Sequence, residues 1–193
     1  MKRIVRYLVG SVELKIRYSK TASGPCVTQG YFSGKLPTST NAAYVDADFA
    51  SCKENRRSVT GYVFMLAGGP VSWNSRKQSS VALSTTEAEY MAAAAAVQEL
   101  VWLKRLQVQL GLPVPETLTL FEDNQSTIFL SEGQGEHQRS KHVDIKYKYV
   151  SQNVQEKVVK LEYIRSQNNL ADILTKALEA AVFSFLVAQL LTH

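Results

Sequence analysis

A chain of 193 residues with 45% hydrophobic and 20% charged residues has the length and composition of one globular domain with a short appendage. No apolar run approaches the length that crosses a bilayer, the N-terminus lacks the apolar core of a secretory signal, and the two cysteines lack metal-ligand spacing and fit a reducing compartment. The formal net charge is +5, and residues 1–20 carry all of it, which is compatible either with a polyanionic partner or with a solvated helix face.

The N-terminal fifth of the chain differs in composition from the rest. Residues 1–18 are predicted to form a short helix and a strand, separated by Gly10. Residues 19–41 are rich in Ser, Thr, Gly and Pro, which is typical of a linker or an extended loop. We therefore divide the chain into a basic arm and linker, residues 1–41, and a folded domain, residues 42–193.

The folded domain begins with three predicted strands. They cover residues 42–50, residues 60–67 and part of residues 71–83. The short connections between them favour an antiparallel meander.

Helices and strands alternate in the rest of the chain. Apolar residues at helical spacing predict a long helix over residues 85–110, and the later elements are a strand at 116–122, helices at 124–131 and 140–157, a strand at 158–164 and a last helix at 170–191. The order β-β-β-α-β-α-α-β-α predicts an α/β fold, in which a five-stranded mixed sheet has helices on both faces.

Asp46 is the most unusual acidic residue, because it lies inside the first predicted strand. A carboxylate in a core strand costs several kcal/mol unless it is paired or bound to metal, and no basic residue near Asp46 in the sequence is an obvious partner.

Three further carboxylates lie at strand ends or helix starts, namely Glu89, Asp123 and Asp172. Each also has a structural interpretation. Asp123 and Asp172 suit helix N-termini. Glu89 would close a capping box if the long helix is capped by Thr86, whereas Glu87 would do so if the cap is Ser84.

Strand ends and helix starts meet where ligands bind in open α/β sheets, so these carboxylates are expected to lie together. They would repel one another unless a cation neutralised them, and ligand sets made only of oxygen select Mg²⁺ or Mn²⁺. Two such ions about 4 Å apart can activate a water and stabilise the leaving oxygen of a phosphodiester.

The motifs around these carboxylates resemble the ribonuclease H domain of copia-type retrotransposon polyproteins. They run in family order over roughly residues 42–178. The matching stretches are YVDADFA at 44–50, RRSVTGYVF at 56–64, LSTTEAEYMA at 83–92, EDNQ at 122–125, SKHVDI at 140–145 and LADILTK at 170–176. Residues 1–18 resemble the end of the reverse transcriptase region that precedes this domain in such polyproteins.

The resemblance implies a ribonuclease H-like fold and endonucleolytic hydrolysis of the RNA strand of RNA–DNA hybrids during reverse transcription. The four-carboxylate site of the family then matches Asp46, Glu89, Asp123 and Asp172, which would hold two Mg²⁺ or Mn²⁺ ions. Glu87 and Asp48 would lie beside this site without binding metal. The implied partners are the hybrid and the reverse transcriptase region of the parent polyprotein, with no membrane, in the cytoplasm inside virus-like particles or in the nucleus.

Small polar and basic side chains near the carboxylates are candidates for nucleic-acid contacts, through the 2′-hydroxyl groups that distinguish RNA or through phosphates. Helix capping or a solvated surface is the alternative role for them. The candidates are Ser84, Thr85, Thr86, Asn124, Gln125, Arg139, Lys141 and His142.

One feature departs from many ribonuclease H relatives, which carry a histidine in a longer loop before the last helix. Residues 165–169 form the corresponding segment here and contain no histidine. His142 is the nearest candidate for proton transfer, although packing or phosphate contact is its alternative role. A nucleic-acid-binding module that has lost catalysis, or an integrase-like or transposase-like enzyme of the same fold, also stays open.

Overall fold

The structure, a computed structural model, describes residues 2–18, 41–133 and 141–192, and for residues 141–143 it describes the backbone alone. Most of the predicted linker, Arg139, and the side chains of Lys141 and His142 therefore lie outside the described residues. The strands are β1 Asn41–Asp48, β2 Val59–Leu66, β3 Gly69–Lys77, β4 Leu118–Glu122 and β5 Val159–Tyr163; the helices are α1 Lys2–Gly10, α2 Thr85–Gln109, α3 Gln125–Ser131, α4 Lys141–Gln155, α5 Asp172–Thr175 and α6 Ala180–Leu190.

The five strands form one mixed sheet in the order β3-β2-β1-β4-β5. β1, β2 and β3 pair antiparallel, as the short connections predict, while β4 and β5 join in parallel. In the β1–β4 pair Tyr44 lies opposite Phe121. This register places Asp46 and Asp123, each two residues further along, at the same end of neighbouring parallel strands.

Each face of the sheet has its own hydrophobic core, because successive β1 side chains point to opposite faces. Val45 and its neighbours on the same face pack against α2 and α4. Tyr44 packs in the second core with residues of α5 and α6, including Leu186. The predicted five-stranded mixed sheet with helices on both faces is confirmed.

The last predicted helix, residues 170–191, is wrong as a single element. The chain forms a 3-10 turn at Ser166–Asn168, then the four-residue α5, and begins α6 only at Ala180. Lys176 ends α5 in an extended conformation. The Ala- and Leu-rich sequence favours a continuous helix, but contacts of Thr175 and Lys176 with Asp46 on β1 fix the end of α5.

The N-terminal segment contacts the domain through one aromatic ring of its helix and through the residues that follow the helix. The rings of Tyr7 and Phe183 pack edge to face, with their centroids 5.9 Å apart. α1 buries none of its residues, and the predicted strand that follows is reduced to one bridge, in which Lys15 and Thr192 exchange backbone hydrogen bonds of 2.7 and 2.8 Å. The Tyr18 hydroxyl donates to the Pro70 carbonyl at 2.7 Å. None of the helices within the described residues is long and apolar enough to cross a membrane.

Candidate metal centre

Asp46 is buried near the end of β1, where it has two partners from the C-terminal part of the chain. The Thr175 hydroxyl donates to its Oδ2, and the Lys176 ammonium lies 3.4 Å from its Oδ1. The sequence offers no obvious basic partner close to Asp46, and the structure supplies one 130 residues away.

Asp46, Glu89 and Asp123 form a compact group that we call the carboxylate triad. Each offers a carboxylate oxygen, and these oxygens all lie within 4.8 Å of one another. β1 contributes Asp46, the first turns of α2 contribute Glu89, and Asp123 directly follows β4. Three of the four predicted ligands therefore lie together.

Asp172 joins this region through an ammonium group rather than directly. It is the first residue of α5, and its Oδ1 lies 3.1 Å from the Lys176 Nζ, which also contacts Asp46. Asp172 is not one of the three carboxylates of the triad. All four predicted carboxylates are thus linked, with Lys176 between the fourth residue and the triad.

Burial and mutual repulsion favour the protonated forms of these acids. Burial, followed by the charges of Glu122 and Asp46, raises the pKa of Glu89 to about 11. Burial, then Asp46, raises the pKa of Asp172 to about 7, although Lys176 opposes the shift. For Asp46, burial outweighs the lowering of its pKa by Lys176 and Thr175. A bound cation would relieve the same repulsion.

The donor set fits a hard divalent cation. The triad presents oxygen atoms alone, as Mg²⁺ and Mn²⁺ prefer. Glu89 Oε2 is buried and has no hydrogen-bond partner among the described residues, although a buried acceptor normally has one. A cation at the triad would give the Glu89 carboxylate a partner.

Glu122 is a fifth carboxylate that the sequence reasoning did not single out. It is fully buried at the end of β4, its Oε1 accepts from the Asn124 backbone N–H at 3.0 Å, and burial raises its pKa well above the usual range. The available signal was its place beside Asp123 in the stretch EDNQ at 122–125. Its main effect on the site is to raise the pKa of Glu89.

Two residues position α5 against β1 and β2. The Asn169 side chain donates to the Val45 carbonyl at 2.8 Å and accepts from the Ala171 N–H at 3.1 Å, which holds the start of α5 beside Asp46. A Cβ on Gly61 would lie 2.5 Å from Thr175 Cγ2, so only glycine allows this approach. Neither residue stood out in the sequence.

The start of α2 separates Glu87 from Glu89. Ser84 is the N-cap and accepts from the Glu87 N–H at 3.1 Å, and Glu87 Oε2 accepts from the Leu83 N–H at 2.8 Å. Ser84 is thus confirmed as the N-cap, whereas the Glu87 carboxylate bonds the Leu83 N–H in place of the Ser84 N–H that a capping box would use. Glu89 takes no part in this cap, and its carboxylate belongs to the triad. Gln78 fixes this turn by donating to the Ala88 carbonyl at 2.9 Å.

Five of the eight predicted nucleic-acid contacts lie at the starts of α2 and α3. Ser84 and Thr85 are exposed, and Thr86 is half-buried. Asn124 caps α3 by accepting from the Thr127 N–H at 3.1 Å, and Gln125 is exposed. Ser84 and Asn124 therefore have the capping role that was the alternative interpretation for them. Their contact with nucleic acid stays a prediction.

A basic cleft adjoins this region. Its volume is about 650 Å³, and its lining includes Thr60 and Gln78, which hydrogen-bond to each other at 3.0 Å. Because Gln78 also donates to the carbonyl of Ala88, the residue before Glu89, the cleft reaches the backbone at the start of α2. Four basic residues and one acidic residue line it, namely Arg57, Arg76, Lys77, Lys146 and Glu99.

No protein-family model matches the chain. It is 41% identical over 166 residues to the retrovirus-related Pol polyprotein from transposon TNT 1-94 of Nicotiana tabacum, an alignment that covers 86% of this chain and 12% of the polyprotein. It is 33% identical over 183 residues to the Pol polyprotein from transposon RE1 of Arabidopsis thaliana, which covers 95% of this chain and again 12% of the polyprotein. The chain thus spans about an eighth of the length of these relatives.

Solved structures with a similar fold are ribonucleases H. The N-terminal ribonuclease H domain of a Mycobacterium tuberculosis protein matches with a TM-score of 0.52 and 13% identity, over 75% of this chain and 96% of that chain. LC11-RNase H1, solved in complex with an RNA/DNA hybrid, matches with a TM-score of 0.51 and 16% identity, over 70% of this chain and 93% of that chain. The chain therefore has the ribonuclease H fold and is homologous to a short segment of copia-type retrotransposon Pol polyproteins.

Proposed function

We propose that the chain is a metal-dependent ribonuclease H domain that cuts the RNA strand of RNA–DNA hybrids during reverse transcription of a retrotransposon. The observation that carries this proposal is the carboxylate triad, in which three buried or half-buried acids from β1, α2 and the end of β4 bring their oxygens within 4.8 Å. Burying several carboxylates together costs folding free energy unless a cation neutralises them, so this cluster supports a role in metal binding.

Asp46, Glu89 and Asp123 are the proposed ligands of a divalent cation, with Asp172 as the ligand of a second ion beside Asp46. When bound, Mg²⁺ or Mn²⁺ would lower the pKa of a water molecule and offset the charge of the phosphodiester. The chain itself holds the carboxylates in place: Thr175 fixes one oxygen of Asp46, and Asn169 fixes the start of α5. The short segment before α5 contains no histidine, so proton transfer is assigned to water in this proposal.

The hybrid is the proposed substrate because the surroundings of the triad can recognise both of its strands. Ser84, Thr85 and Gln125 are exposed at the helix starts and are suited to contact 2′-hydroxyl groups. The basic cleft offers cations that can neutralise phosphates of the other strand. The reverse transcriptase region of the parent polyprotein is the proposed second partner, in virus-like particles or in the nucleus.

A binding module without catalysis is the second candidate, and one contact favours it. Lys176 already neutralises Asp46 and Asp172, so the fold does not require metal at every carboxylate. Such a module would use the basic cleft and leave the phosphodiester intact.

Cleavage of an RNA–DNA hybrid labelled on its RNA strand tests the proposal. We expect Mg²⁺-dependent cutting of the RNA strand, inhibition by chelation, and no cutting of duplex DNA of the same sequence. Asp123→Asn should abolish cleavage, whereas Asp144→Asn, which changes an exposed acid in α4, should retain it. Hybrid binding without cleavage in Mg²⁺ or Mn²⁺ would favour the binding module, and cleavage of duplex DNA would favour an integrase-like enzyme.

A further inference from the structure

Lys176 lies between two acids that face each other across the site. Its Nζ is 3.1 Å from Asp172 Oδ1 and 3.4 Å from Asp46 Oδ1. In the described part of the chain, neither acid forms an ion pair with any other Lys or Arg. One ammonium group therefore supplies the positive charge between Asp46 and Asp172.

Among the described residues, the two other members of the triad, Glu89 and Asp123, have no such ion pair with a Lys or Arg. Within the described ranges, Glu89 Oε2 also has no hydrogen-bond partner. Asp46 belongs to both groupings. The site thus has two unequal cation positions that share Asp46: one is lined by carboxylates alone, and the other holds an ammonium group.

We propose that Lys176 is a built-in cation that fills one of the two positions around Asp46, so that divalent ions bind in two unequal steps. The first ion enters the triad, and a second enters between Asp46 and Asp172 only when the Lys176 ammonium moves away. This inference deepens the proposed metal-dependent function and rests on it.

The geometry allows the ammonium group to be exchanged. The Lys176 side chain is 34% exposed, and its backbone is extended at the end of α5, so its flexible stem can leave without unwinding a helix. Asp46 Oδ2 stays bonded to Thr175, so Oδ1 is the oxygen for which Lys176 and a second ion would compete. Because like charges at this range repel strongly, both cannot occupy the position together.

Calorimetric titration of the full chain with MnCl₂ tests the inference, using the wild type, Lys176→Met and a matched control, Lys148→Met. Lys148 likewise pairs with an acid four residues before it, Asp144 at 3.0 Å, but this pair lies on the exposed surface of α4. We expect one tight and one weak Mn²⁺ in the wild type and in the control. In Lys176→Met the second step should tighten about tenfold or more, since removal of one close charge is worth at least that factor.

The outcomes separate this inference from the proposed function. If Mn²⁺ binds the wild type but Lys176→Met shows an unchanged second step, or no second ion, Lys176 is not an exchangeable occupant and the inference is overturned alone. If neither protein binds Mn²⁺, the metal-dependent function fails, and the inference fails with it.

A measurement on the wild type covers the case in which Lys176→Met does not fold. The wild type is treated with an acetylating reagent for lysine over a series of MnCl₂ concentrations. Mass spectrometry then measures the rate of acetylation of Lys176, with the rate of acetylation of Lys148 as the reference. We expect the Lys176 rate to rise over the concentrations of the second step. A rate that stays constant over that range would overturn the inference.

Discussion

Asp46 and Gly61 lie directly opposite each other in the antiparallel pair of β1 and β2. Because Gly61 has no side chain, α5 approaches the sheet closely enough for Thr175 and Lys176 to bond Asp46. A Cβ at this position would also lie 3.1 Å from the Ala171 carbonyl oxygen, which is backbone and cannot rotate away. The orientation of Asp46 thus depends on a missing side chain.

Gly61→Ala is expected to push α5 away from β1. Overpacking of this kind costs about 1–3 kcal/mol of unfolding free energy, and cleavage of the hybrid should fall at least about tenfold, since catalytic geometry tolerates little displacement. Urea unfolding and initial rates measure the two effects. Gly10→Ala is the control, because a Cβ there meets nothing within 4 Å, and an equal loss in that variant would refute the explanation.

Glu89→Gln should stabilise the metal-free protein in a pH-dependent way. The pKa of Glu89 is raised to about 11 in the folded state from an ordinary value of 4.5, so between these values the unfolded chain releases a proton that the folded chain retains. The contribution of protonated Glu89 to the free energy of unfolding is fully present below pH 4.5. It decreases progressively as the pH rises from 4.5 towards about 11, because unfolding then releases the proton.

The melting temperatures of wild type and Glu89→Gln in chelator, from pH 4 to pH 9, measure this effect. We expect equal values near pH 4 and a more stable variant at pH 8, by more than about 1 kcal/mol. In a separate assay with Mg²⁺, Glu89→Gln should not cleave the hybrid. Glu87→Gln, which keeps a capping side chain, should behave as wild type in both respects. A Glu89→Gln protein less stable than wild type at pH 8 would contradict the assigned repulsion.

Asn169→Ala should loosen the start of α5 from β1. It removes the hydrogen bonds to the Val45 carbonyl and the Ala171 N–H in a buried place, and unsatisfied partners there cost about 1–3 kcal/mol. Denaturant unfolding measures the loss. Asn55→Ala removes one exposed hydrogen bond and should cost less than about 0.5 kcal/mol. Similar losses in both variants would argue against a positioning role for Asn169.

Two truncations separate the charge of the basic arm from its structural contacts. Deletion of residues 1–10 removes Lys2, Arg3 and Arg6 with a helix that buries none of its residues and makes one edge-to-face ring contact, Tyr7 with Phe183, so the melting temperature should fall only slightly. If these cations contact phosphate, the slope of log affinity against log salt should flatten by up to about 0.9 per lost contact.

Deletion of residues 1–18 should also lower the melting temperature, because it removes the Lys15–Thr192 bridge and the Tyr18–Pro70 hydrogen bond. Thermal melts and hybrid binding over a range of salt concentrations compare the two truncations. An unchanged salt slope after deletion of residues 1–10 would show that α1 does not contact the hybrid.

The sequence predicts those features that depend on neighbouring residues. Alternation and helical spacing give the order of the elements and the mixed sheet. The capping pattern allows either Ser84 with Glu87 or Thr86 with Glu89, and the structure decides for Ser84. The buried place of Asp46 in a core strand also follows from its apolar neighbours. These patterns are local, so they can be read along the chain.

The features that the sequence does not predict depend on distant contacts. Lys176 reaches Asp46 across 130 residues, and the same contact ends α5 in a stretch whose composition favours a longer helix. Asn169 bonds Val45 across 124 residues. The absence of a side chain at Gly61 matters only because α5 packs on β2 at this position. Periodicity carries no information about such pairs.

A crystal of the chain soaked in MnCl₂, with data collected at an anomalous wavelength for manganese, tests the metal centre most directly. We expect a peak within about 2.6 Å of oxygens of Asp46, Glu89 and Asp123, which is the coordination range of hard divalent ions. The peak should disappear in Asp123→Asn crystals. Crystals soaked at saturating Mn²⁺ with no peak at these three carboxylates would contradict the proposed metal centre.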